Sequence, residues 1–247
     1  EILDPGVVHT TRLYERYLNL VDEKNIPFSL ARKGVVRDLG SGAGMEVLHP
    51  VNPDDRNLNN ASIVLKVKLG RIGVLLTGDI ERKSEEMLMQ NRMALRSEIL
   101  RVAHHGSNTS SHMAFLMSVR PKISIVSVGQ NNKYGLPDPM VMERLEKLPS
   151  EVYRTDIHGH IVIVTDGREY AVQTSSGHKS AAVYTGEADS DPDTERPGTA
   201  EPLMVDLNTA SYEQLLSIVH IGPERARQIV ALRPLGSLDD LLKVEGI

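Results

Sequence analysis

From about residue 175 to residue 202 the alternation of apolar and polar residues stops, and Gly, Ser, Thr, Pro and acidic residues take over. A stretch so poor in apolar side chains buries too little surface to offset the entropy of ordering it. The sequence therefore predicts a disordered acidic linker at 175–202, dividing the 247 residues into a body, 1–174, and a tail, 203–247. The charge follows the same division. Residues 181–202 hold six acids (Glu187, Asp189, Asp191, Asp193, Glu195, Glu201) against Arg196, which is −5, the formal charge of the whole chain. The tail carries −2 and residues 1–180 carry +2. The acidity marks a boundary and does not count against a polyanionic partner for the body.

Several classes are excluded quickly. No run of about 18 apolar residues is present, so no membrane-spanning helix is expected. The absence of Cys rules out disulfides, zinc knuckles and thiol catalysis. With two Phe, seven Tyr and no Trp, a base-stacking platform for single strands is poorly supplied. Glu1 is not an initiator Met and Ile247 falls inside a motif, so the segment reads as cut from a longer chain.

In the body, residues 11–24 place Leu13, Tyr17, Leu20 and Val21 at helical spacing. VVRDL and MEVLHP flank Gly40-Ser41-Gly42-Ala43-Gly44; a strand-like segment follows, where a phosphate-cradling loop would lead into a helix, so a hairpin turn is expected. ASIVLKVKLGRIGVLLT, 61–77, is the clearest β signal, two apolar stretches about a Gly70-Arg71 turn. Helices are expected at 81–92, 112–119 and 138–148, and strands at 98–103, 123–128, 151–154, 160–165 and 169–173. This interleaving predicts a layered mixed α/β body. The tail reads as short helices at 209–219, 223–232 and 237–243.

Two strand ends carry chemistry. Asp79 closes Leu75-Leu76-Thr77-Gly78-Asp79, where it could hold a ligand or cap the next helix. Val102-Ala103-His104-His105-Gly106-Ser107 again runs a strand into a Gly turn. A hard carboxylate with imidazoles suits Zn²⁺ or Mn²⁺. Neighbours on a strand point to opposite faces, so one ring is expected to ligate, which favours His104, and the other to orient by hydrogen bonding. A Ser–His–Asp triad through Ser107 is disfavoured, since Ser107 adjoins the His pair and no G-x-S-x-G elbow is present. His9, His49, His112, His158 and His160 each read as structural or solvated, with His9 and His49 the best exceptions because they precede the Asp79 strand.

LTGDIE, ILRVAHHGSNTS, RPKISIVSVGQNNKYGLPDP and VYRTDIHGHIVIVTDG, with ILDPGVVHTTRLYERYL and EVLHPVNPDDRNLNNASIVL upstream, resemble the metallo-β-lactamase-fold domain of ComEC-type DNA-uptake (competence) proteins. The resemblance covers roughly 1–173. It implies an αββα sandwich with its N-terminal part missing. It also implies a centre of two divalent metal ions, Zn or Mn, activating water for phosphodiester hydrolysis. Asp79 resembles the metal-bridging Asp, and His104 and His105 the late His ligand. Asn59 and Asn60 match an Asn-rich stretch with a candidate substrate contact. The family's H-x-H-x-D-H loop is absent, so weak or no metal binding and no nuclease activity are expected of this fragment alone. Where the family often has Y-G-H-P-H-P, this chain has Tyr134-Gly135-Leu136-Pro137-Asp138-Pro139.

The tail resembles the helix–hairpin–helix of ComEA-like DNA-binding domains, in D-L-N-T-A-S, His220-Ile221-Gly222-Pro223 and D-D-L-L-x-V-x-G-I. Ile221 and Gly222 would form a turn whose following amides face a DNA phosphate, with Arg225 and Arg227 in support. Such contact reads backbone, not sequence. His220 replaces the usual first Gly of Gly-x-Gly, and the net −2 predicts weak, salt-sensitive affinity.

The leading expectation is a nuclease domain tethered to a non-specific DNA-binding module. By family resemblance it belongs on the extracytoplasmic side of a bacterial cell membrane, with the channel portion of the parent protein as partner. The alternative is a non-catalytic DNA-binding or scaffold protein with a degenerate metallohydrolase fold. A third is a hydrolase of small phosphoesters or esters.

Overall fold

The computed structural model describes residues 1–53, 57–90, 93–177, 179–182, 208–209 and 223–233. It divides into two units, Glu1–Thr185 and Gly186–Ile247.

The first unit is built on a seven-stranded sheet. It comprises β3 (Val36–Gly40), β4 (Ala43–His49), β5 (Val64–Leu69), β6 (Ile72–Leu76), β7 (Ile99–Arg101), β8 (Ile123–Val126) and β9 (Glu151–Arg154), in that spatial order. Ahead of it, β1 (Ile2–Asp4) and β2 (Phe28–Leu30) pair in parallel across α1 (Arg12–Glu23). Strands β3 to β6 are antiparallel because tight turns join β3 to β4 and β5 to β6. Strands β6 to β9 are parallel because α2 (Arg82–Gln90), α3 (Met113–Val119) and α4 (Pro139–Glu146) carry the chain back between them.

Both faces of the parallel part are covered. Leu75, Leu100 and Val126 join Leu88, Phe115, Leu116 and Leu145 in the core beneath the helices. The alternate residues Ile72, Ile99, Ile123 and Tyr153 pack on Tyr170 and Val172 of a second sheet. That sheet is β10 (Ile161–Thr165), β11 (Tyr170–Thr174) and β12 (Lys179–Ala182), all antiparallel, and a short helix α5 (Thr155–His158) leads into it. The unit is thus a helix layer, a large sheet and a small sheet, a mixed α/β arrangement.

Two differences from the sequence reading have local causes. Strand β7 ends at Arg101 rather than 103, because the chain turns at Ala103–Gly106. Strand β12 lies inside the span read as linker; its Lys, Ser and two Ala give no apolar signal, and pairing with β11 orders it. Residues 183–207 of that span lie outside the described residues. In the tail, α6 (Pro223–Ala231) is described, with Ala226 and Ile229 buried, while the helices read at 209–219 and 237–243 fall outside, apart from Asn208 and Thr209 in a turn.

Candidate functional site

Parallel register aligns Leu76, Arg101 and Ile125, so the segments leaving β6, β7 and β8 emerge side by side at one edge of the sheet. Open α/β sheets place their ligand sites at this carboxyl edge. Asp79 follows β6, the His104-His105 pair follows β7, and Ser127 follows β8.

Asp79 does not cap α2. Its Oδ1 meets the Arg101 guanidinium at 3.4 Å and its Oδ2 lies 3.7 Å from His105 Nε2. Gly78, at φ +55, lets the turn pass over Ser62, whose Cβ would stand 2.8 Å from any added Cβ. There the Ser62 hydroxyl accepts the Asp79 N–H at 3.1 Å, and the Gly78 carbonyl accepts from both His104 N–H and Arg101 Nη1.

The His pair lies beyond the strand. His104 and His105 both have left-handed backbone, φ 49 and 56, so strand alternation does not apply. His105, not the favoured His104, faces Asp79. His105 Nδ1 lies 2.7 Å from the Ser127 carbonyl, which can only accept, so the neutral ring carries its hydrogen on Nδ1 and presents a lone pair at Nε2. His104 turns to Thr109 Oγ1 at 3.2 Å and to Glu81 Oε1 at 3.9 Å.

Glu81 and Arg101 are absent from the sequence-derived set. Glu81 accepts from the amides of Asn57 at 2.9 Å, Asn59 at 3.1 Å and Asn60 at 3.3 Å. Burial pushes its pKa up, but the Asn57 and Asn59 bonds and the charge of His104 outweigh this and leave it below the ordinary carboxylate value. Asn60 is buried and spent internally, its Oδ1 accepting from the Glu81 N–H at 3.1 Å and the Ser84 hydroxyl at 2.7 Å. Among the described residues, Asn59 meets the site through Glu81. A signal for Glu81 existed, as the second acid of LTGDIE; Arg101 had none.

His49 is buried, with Nε2 2.8 Å from the Asn60 carbonyl, and packs as a structural residue behind this cluster. On the buried side of α2, Glu85 is fully buried and accepts from the His112 imidazole at 2.9 Å and its N–H at 3.1 Å. Leu136 packs on the core and Asp138 caps α4, accepting the Met140 N–H at 2.8 Å, so neither stands in for an imidazole at the site.

Asp79 Oδ2 and His105 Nε2 have the donor chemistry of a divalent-metal site. Among the described residues, however, no three His, Cys, Asp or Glu side chains are grouped to hold an ion. A catalytic zinc takes three protein ligands. The described residues therefore do not by themselves fit a complete metal centre. In the tail, Ile221 and Gly222 lie outside the described residues; Arg225 and Arg227 are on α6, and Arg227 is exposed.

Sheet and site define a layered α/β domain with a two-donor cluster at the carboxyl edge of its parallel strands, and residues 203–247 match the helix-hairpin-helix motif. Curated relatives include competence and recombination proteins. The chain is 33% identical over 147 residues to ComE operon protein 3 of Bacillus subtilis, covering 60% of this chain and 19% of that protein. It is 38% identical over 120 residues to Recombination protein 2 of Haemophilus influenzae, covering 49% and 15%. Against Competence protein ComA of Neisseria gonorrhoeae it is 37% identical over 119 residues, covering 48% and 17%. The chain thus spans less than a fifth of the length of these relatives. A solved structure described as a metal-dependent hydrolase from Parabacteroides distasonis overlaps 59% of this chain and 62% of its own at 13% identity and a TM-score of 0.36. No helix among the described residues is long and apolar enough to cross a membrane.

Proposed function

We propose that this chain is part of a DNA-uptake protein. In this reading Glu1–Thr185 contributes to a metal-dependent phosphodiester hydrolase and 203–247 holds the DNA backbone. The observation that carries the hydrolytic reading is the facing pair Asp79 Oδ2 and His105 Nε2, 3.7 Å apart at the carboxyl edge of the sheet. Asp79 and His105 are then metal donors, completed by donors from elsewhere in the protein, with Zn or Mn as the ions. The DNA reading is supported by the competence relatives and the helix-hairpin-helix match. On this reading Ile221, Gly222, Arg225 and Arg227 contact phosphates, the parent's membrane portion is the partner, and the domain works on its outer side.

The test is cleavage of duplex and single-stranded DNA with Mn²⁺ by the natural polypeptide that carries this chain. Asp79→Asn and His105→Gln should each abolish cleavage, and undiminished cleavage by either would remove that residue from the mechanism. The scaffold reading draws on one observation: among the described residues, two donors stand where a catalytic zinc takes three. It predicts DNA binding without cleavage at any Mn²⁺ or Zn²⁺ concentration.

A further inference from the structure

Beside the His105 turn, residues 129–138 form a loop organised by one side chain. Asn132 donates to the Gly129 carbonyl at 3.1 Å and the Leu136 carbonyl at 2.7 Å, and its Oδ1 accepts the N–H groups of Tyr134 at 3.2 Å and Leu136 at 3.1 Å. The loop is pinned to the site. The Asp138 N–H donates to the Gly106 carbonyl at 2.9 Å, and Pro137 packs so closely on Gly106 that an added Cβ there would stand 2.6 Å from the proline ring. On this braced loop Tyr134 stands 72% exposed, with Lys133 Nζ 5.2 Å from its ring centroid. It stands three positions before Pro137, so its Cα lies within about 11 Å of the residue that touches Gly106.

We infer that Tyr134 stacks on a nucleobase of single-stranded DNA held at the Asp79–His105 cluster, with Lys133 meeting the adjoining phosphate. This rests on the DNA reading above. An exposed ring costs apolar hydration that the Lys133 cation offsets only in part, whereas every base offers it a π face. The lysine supplies both a cation over the ring and a partner for the backbone. A duplex hides its base faces in the stack, so the occupant is a strand with bases free to splay. One tyrosine is not the aromatic platform that the composition excludes; it is a single contact that fixes where the strand lies relative to His105.

The helix-hairpin-helix tail is read as binding backbone, so the test must separate bases from backbone. The whole chain is titrated with an oligothymidylate and with an abasic strand of equal length, without added metal. The natural chain should bind the strand with bases roughly tenfold more tightly. Tyr134→Ala should lose that preference while keeping its affinity for the abasic strand, and Tyr134→Phe should retain it. Equal affinity of the natural chain for the two strands, or an undiminished preference in Tyr134→Ala, overturns the inference. Failure to bind either strand would overturn the DNA reading itself, and this inference with it.

Discussion

The Ser127 carbonyl accepts the Nδ1 hydrogen of His105 at 2.7 Å, and this bond decides what the other ring nitrogen can do. With Nδ1 protonated, Nε2 is left as a lone pair facing Asp79 Oδ2. His104 spends its Nδ1 on Thr109 instead. His105→Ala should therefore weaken Zn²⁺ binding by roughly tenfold or more, while His104→Ala changes it less. Isothermal titration of the isolated chain reads both. The natural chain should bind weakly, because two donors fall short of a full set; tight one-to-one uptake would show that further donors reach the pair.

His49 gives the stability a pH dependence. Burial lowers its pKa from 6.5, and the hydrogen bond to the Asn60 carbonyl offsets only part of this. The folded state thus binds fewer protons than the unfolded state between its lowered value and 6.5, so stability rises with pH across that window and is lost as pH falls below 6.5. Urea unfolding at about pH 7 and about pH 5 should show this loss. His49→Gln keeps a donor for Asn60 without a titrating ring, and its loss over the same interval should be smaller.

Glu85 is a buried carboxylate surrounded by donors, the Ser111 and His112 amides and the His112 imidazole. Burial raises its pKa, and these bonds pull it back. Glu85→Gln keeps the volume but turns an amide NH₂ toward at least one donor, leaving it unpaired. The expected cost is about 3 kcal/mol of unfolding free energy, read from denaturant midpoints.

Gly106 is at φ +79, and its missing Cβ is where Pro137 packs. Gly106→Ala should cost about 2 kcal/mol from backbone strain and contact together. It should also displace the loop bearing Tyr134. Raised hydrogen exchange at 129–138, with the protection of β8 unchanged, would locate the damage.

How much of this the sequence carried depends on the range of each interaction. The β5–β6 hairpin was legible because its apolar runs and the Gly70-Arg71 turn are contiguous. Asp79 and the His pair were legible as strand-end polar residues, but their relative orientation was not. The chain leaves β7 two residues early, and two left-handed residues reverse the alternation that favoured His104. Glu81 owes its place to Asn57, Asn59 and Asn60, more than 20 residues upstream, and Arg101 owes its direction to the Gly78 carbonyl in the turn after the neighbouring strand. No local pattern encodes those bonds. Strand β12 was hidden because edge pairing to β11, rather than apolar content, makes it a strand.

The helix-hairpin-helix match carries the last expectation. Arg227 lies exposed on α6, whose buried Ala226 and Ile229 fix which side of the helix remains outward. If this module holds DNA through phosphates, affinity must fall linearly in log–log coordinates as salt rises, with a slope set by the number of phosphates neutralised. Arg227→Gln should weaken duplex binding about equally for unrelated sequences and reduce that slope by roughly one. Fluorescence anisotropy on two duplexes of different sequence, over a series of salt concentrations, measures both quantities. A loss confined to one sequence would place Arg227 on a base edge rather than on the backbone.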